Sequence, residues 1–160
     1  MTDRSLWKKV RYVLVLLALC AMATCPAARR DWLRRERARE APALLDVLAD
    51  RVEARWKERG RLPLEPAGPT PALGACCDQG GACAVEDAQW QAGGWAALGF
   101  TVDDPHRYSY QYVPAADGKS AVVRAIGDLD CDGVRGTYEL KLEPVGDHLM
   151  RTSTADGGLD

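Results

Sequence analysis

Three aspartates alternate with other residues in the stretch "GDLDCDG" (127–133) and end on a glycine. With Glu139 they complete the spacing D-x-D-x-D-G-x5-E, the letter pattern of a calcium loop. Calcium is a hard cation that takes several oxygen ligands, so carboxylates at alternate positions of a tight loop can converge on it. The candidate ligands are Asp128, Asp130, Asp132, the backbone carbonyl of Val134, and Glu139. No cofactor is expected other than calcium at this loop. The surroundings argue against a complete EF-hand. That loop joins two helices, whereas both flanks here read as strands. Arg135 stands where an aliphatic residue is usual, and Glu139 lies in a strand between Tyr138 and Leu140. Two readings stay open: a partial site made of the three aspartates, or a polar hairpin turn whose aspartates cap their own backbone.

Sulfur is the second chemistry. Cys20 and Cys25 lie in or at the end of an apolar run, while Cys76, Cys77, Cys83 and Cys131 lie in a polar region. In an exported domain four cysteines make two disulfides in one of three connectivities. A bond between the adjacent Cys76 and Cys77 strains disulfide geometry. Each is therefore expected to pair elsewhere, with Cys83 and Cys131 as partners. The spacing is not C-x2-C, so a zinc cluster is not expected. Catalysis is not expected either. The only histidines are His106 and His148, and neither sits beside a nucleophile motif. His106 reads as a turn residue before a strand rather than a base. Oxidised cysteines are not nucleophiles.

The elements that must position these groups follow from charge and periodicity. Residues 1–25 carry four basic residues and one acid, 26–62 carry eleven and seven, and 63–160 carry six and fifteen. A cationic stem and an anionic head fit a membrane-proximal arrangement better than a uniform surface. Residues 1–28 read as a membrane anchor or signal segment. Lys8, Lys9 and Arg11 precede an apolar run from Tyr12 to Cys25, and Ala21-Met22-Ala23 fits a small-x-small cleavage site. The run extends to Ala28 at most, near the lower limit for a span.

Residues 29–60 read as an amphipathic helical spine. Ala41, Leu44, Leu45, Leu48, Val52 and Trp56 recur at three- and four-residue steps and mark one apolar face. Pro42 should start a new helix or kink a longer one, and Gly60 should stop it. The arginines of 29–39 read as a solvated collar at lipid headgroups. No nucleic-acid partner is expected, since no aromatic interleaving accompanies them. Residues 61–74, with Pro63, Pro66, Pro69 and Pro71, read as an extended linker.

Residues 75–153 read as a disulfide-stapled antiparallel head, and 154–160 as a frayed tail. A helical turn is expected at Gly94–Leu98, with Trp90 and Trp95 in the core. "HRYSYQYV" (106–113) alternates, with Tyr108, Tyr110 and Tyr112 on one face. Strands are also expected at 119–126, 137–142 and 147–153. The fold class is thus α+β: a long amino-terminal α-helix packed on a three- to four-stranded antiparallel β-meander.

The order of these parts resembles that of type IV pilin-like proteins, the pilins and pseudopilins, and in particular the cysteine-containing myxobacterial forms. The likeness spans roughly residues 10–142 and rests on "GRLP" (60–63), the Cys-Cys, Gly-Gly, Cys segment, W-x-x-L-G-F (95–100), "YSYQY" and "GDLDCDG". It implies an α-spine on an antiparallel sheet and assembly with other pilin-like subunits or with pilus or secretion machinery. The chain lacks a standard prepilin leader: no glycine precedes the apolar run, and no glutamate lies within it.

The resulting expectation is a non-enzymatic structural or interaction protein of the envelope. It would be a pilin-like subunit or anchored pilin-derived component of a type IV pilus or type II secretion-like system. Its helix would sit in the inner membrane and its head in the periplasm or outside the cell, or the chain would be secreted after signal-peptide cleavage. The alternative function is a small exported calcium- or ligand-binding domain using the loop 128–132.

Overall fold

The computed structural model describes residues 4–157. Two compact units are present, Met1–Glu36 and Arg37–Asp160. The described residues of the first unit, from Arg4 on, are helix. The element α1 covers Arg4–Ala38, and Val10 and every residue from Tyr12 to Leu17 is exposed and apolar. The transmembrane helix expected within 1–28 is not found: among the described residues no helix is long and apolar enough to cross a membrane. Residues 1–3 and the side chains at 21–27, which include the cleavage motif, lie outside the described residues.

The second unit holds the remaining elements. They are α2 (Glu40–Arg59), β1 (Ala67–Thr70), α3 (Ala75–Asp78), α4 (Asp87–Trp90), α5 (Gly93–Leu98), β2 (Tyr108–Pro114), β3 (Ala121–Gly127), β4 (Gly136–Val145) and β5 (His148–Asp156). Pro42 explains where α2 begins. Its ring clashes with the carbonyl of residue 38 and it offers no N–H to it, and α1 ends at Ala38. Gly60 ends α2 in the left-handed conformation (φ 69°), its N–H donating to the Trp56 carbonyl at 2.8 Å. Ala41, Leu45, Leu48, Ala49 and Val52 form the buried stripe, with Leu44 and Trp56 packed at its margin. Each large aliphatic side chain buried there contributes about 1.5–3 kcal/mol.

The expected fold needs correction on two counts. The sheet has five strands in the order β1-β2-β3-β4-β5, all antiparallel, not three or four. The helix packed on it is the internal α2, not an amino-terminal helix, and three short helices complete the unit. The extra strand lies inside the proline-rich 61–74, which read as linker. Prolines suit an edge strand because its outward N–H groups have no ladder partner to lose, and β1 pairs on one side only, with β2. Gly68 permits the approach: a Cβ there would collide with the Tyr110 carbonyl. At the other edge β5 continues to Asp156, so residues 154–156 are strand rather than tail; 158–160 lie outside the described residues.

Period-two alternation places the core. Tyr112 pairs with Val123, and Val123 with Leu140; Tyr110 pairs with Ala125, and Ala125 with Tyr138. These rows face α2, and the small Ala121 and Ala125 of β3 let the helix approach closely. Trp90 and Trp95 sit at 5.2 Å between ring centroids, edge to face, with Phe100 and Tyr110 against Trp90.

Candidate functional site

The acidic stretch is the connection between β3 and β4, which confirms strands on both flanks. Leu129 is buried and anchors its inner side. The aspartates bond their own backbone. Asp128 accepts from the N–H of Asp132 (3.2 Å) and of Gly133 (2.8 Å), and Asp132 accepts from the N–H of Val134 (2.7 Å). Carboxylate oxygens of Asp128, Asp130 and Asp132 still lie within 4.8 Å of one another. Glu139 does not join them as an EF-hand would require. Glu139 sits three residues into β4, directly opposite Arg124 in the ladder, and forms a 2.7 Å ion pair with it. Val134 is exposed at the tip.

Two disulfides hold this region. Cys76 bonds Cys83, and Cys77 bonds Cys131, so the adjacent cysteines pair apart from each other. Cys131 takes φ 61°, a left-handed conformation unusual for a residue with a side chain. A second cluster formed by Cys77, Asp128 and Cys131 is geometrically close, but both sulfurs are already bonded to each other and supply no thiolate. The "CCDQGGAC" segment is also tied to the start of β2: Cys83 N–H donates to the His106 carbonyl at 2.7 Å, and His106 N–H to the Cys83 carbonyl at 3.2 Å. Stapling therefore links the acidic hairpin, α3 and the approach to β2.

His106, read as a turn residue, is buried and forms an isolated antiparallel bridge with Cys83. Its Nδ1 lies 3.1 Å from the Asp104 carbonyl, which can only accept, so Nδ1 carries the proton. Its Nε2 is buried without a hydrogen-bond partner, against the Trp90 ring at 5.9 Å between centroids. His148 is exposed beside Asp147, far along the chain in β5.

Sequence reasoning missed two charged groups that organise the head. Glu40, at the first turn of α2, accepts through Oε1 from Arg107 N–H (2.8 Å), Tyr108 N–H (3.3 Å) and the Tyr110 hydroxyl (3.1 Å). Burial pushes the Tyr110 phenol well above its ordinary range, and the neighbouring Glu40 charge adds to this, so the hydroxyl stays a donor. Arg151 of β5 pairs with Asp50 (2.5 Å) and Glu53 (3.1 Å) of α2. The acids Asp46, Asp50 and Glu53 at three- and four-residue steps were a visible signal of a charged helix stripe. Nothing local pointed to a partner a hundred residues away.

Beside α2 lies an open groove of about 390 Å³, bounded by Leu44, Val47 and Arg51 on the helix and by the segment 100–106 opposite. No protein-family model, curated protein or solved structure matches the chain.

Proposed function

We propose that this chain is a non-enzymatic structural or interaction protein of the cell envelope, with an exported head and an amino-terminal helix that holds it to membrane or to other subunits. The observation that carries the reading is the run from Tyr12 to Leu17, apolar and exposed on every side of α1. A helix apolar all round requires an apolar medium. Basic residues precede and follow the run, which suits lipid headgroups. Two disulfides in the head agree with an oxidising compartment. The resemblance of its motifs to type IV pilin-like proteins supports a place in a trans-envelope assembly, as an anchored component beside pilus or secretion machinery. Secretion after cleavage of residues 1–28 is the alternative placement.

Fractionation with amino-terminal sequencing tests this. The full chain should partition with membranes and show no free thiols at Cys76, Cys77, Cys83 and Cys131 before reduction. Removing residues 1–28 should release it. A reduced protein confined to the cytosol would refute the reading. The second reading, calcium binding at Asp128, Asp130 and Asp132, rests on the 4.8 Å clustering of their oxygens. It predicts heat on calcium titration and a calcium-dependent rise in melting temperature. Neither is expected if the aspartates serve only their turn.

A further inference from the structure

The groove beside α2 has a floor and two differently charged ends. Leu44, Val47, Phe100 and Val102 supply the apolar surface, and Val47 remains 42 % exposed. The segment 100–106 runs antiparallel to α2, since Gly99 approaches Arg55 while Arg107 meets Glu40. Asp103 and Asp104 therefore lie toward the Glu40 end, and Arg51 toward the other. Glu40 is already paired with Arg107, so the two aspartates set the charge of their end. This wall is pinned before any partner arrives. Thr101 donates to Asp103 at 2.8 Å, His106 Nδ1 to the Asp104 carbonyl, and His106 forms its bridge with Cys83. A preorganised groove loses little freedom on binding.

The same chain carries a segment of matching chemistry. Trp32 of α1 is 59 % exposed. Arg29 lies one turn before it, on the same face. Arg35 and Glu36 follow at three and four residues, so that side has no net charge. An indole fits within a groove of this volume, and tryptophan flanked by arginine is the composition of an interface anchor. We propose that the groove receives Trp32 of a second copy of this chain, with Arg29 of that copy against Asp103 and Asp104. This rests on the reading of the chain as an interaction protein and supplies one of its partners. The contact is heterologous, one surface onto a different one, so each copy keeps a free groove or a free Trp32 and the association can propagate.

The test is sedimentation velocity of the purified full chain in detergent micelles across a concentration series, with vesicle flotation alongside. Trp32→Ala and Asp104→Arg should each weaken self-association by about tenfold or more. Combining Arg29→Asp with Asp104→Arg should restore it, a result that misfolding of a single variant does not produce. Association unchanged in both single variants would overturn the proposal and assign it to the apolar run of α1. Loss of vesicle binding in Trp32→Ala with association intact would also overturn it, placing the indole at the lipid interface. A chain that binds membranes but stays monomeric would refute the groove alone and leave the envelope reading standing.

Discussion

Replacing Glu40 by alanine should destabilise the head more than any other single surface-proximal change. One carboxylate oxygen accepts from two backbone N–H groups and a phenol, and Arg107 Nη1 adds an ion pair at 3.5 Å. Tyr108 and Tyr110 are 2 % and 0 % exposed, so water does not readily take the place of the lost acceptor. Each buried donor left unmade costs about 1–3 kcal/mol. Allowing for rehydration of the more open Arg107 N–H, the sum is about 3–5 kcal/mol for Glu40→Ala. Glu40→Gln keeps one oxygen acceptor of the same reach and loses only the charge, so its cost should be about 1–2 kcal/mol. Tyr110→Phe removes one donor, and its effect should shrink when combined with Glu40→Ala because the interaction is then already gone. Urea unfolding followed by fluorescence of the buried tryptophans measures all four proteins at equal m-value. A Glu40→Ala loss below about 1 kcal/mol, or equal losses for alanine and glutamine, would refute the assignment of Glu40 as the shared acceptor.

Two further outcomes are expected. Replacing Cys77 and Cys131 together by serine should cost about 4 kcal/mol, because the bond closes 54 residues; replacing Cys76 and Cys83, only 7 apart, should cost about 2 kcal/mol, and the order of their denaturant midpoints checks the ranking. Hydrogen bonding to Lys57 and then to Arg151 holds the Glu53 carboxyl below its ordinary value of 4.5, against the opposing effect of burial. Its folded pKa is thus the lower one, so its stabilisation is complete above about pH 4.5 and is lost as pH falls through the folded value. Melting temperature against pH should therefore fall less steeply in acid for Glu53→Gln than for the natural chain; identical slopes would show that Glu53 contributes nothing to acid stability.

Local pattern was enough for much of the head. The three- and four-residue recurrence from Ala41 to Val52 marked the buried stripe of α2, because a helix repeats its faces over that interval. Alternation through Tyr108, Tyr110 and Tyr112 marked β2, and Gly60 marked the helix stop. Adjacent Cys76 and Cys77 excluded a bond between themselves, which left two pairings; only the folded positions of α3 and the acidic hairpin chose between them. The strand in Ala67–Thr70 was illegible, since proline signals a linker until a sheet edge is available to hold it.

The acidic hairpin divides along the same line. Its sequence determined that three carboxylates crowd one turn, because alternate residues of a tight loop share a side. Tertiary structure decided where the fourth acid goes. Strand pairing sets Glu139 opposite Arg124, and an ion pair in the ladder takes the carboxylate that a full calcium loop needs. Register is a property of two strands together, so no reading of one segment contains it. The same holds for Glu40 and Arg151, whose donors and acceptors come from elements far apart in the chain and meet only when α2 lies on the sheet.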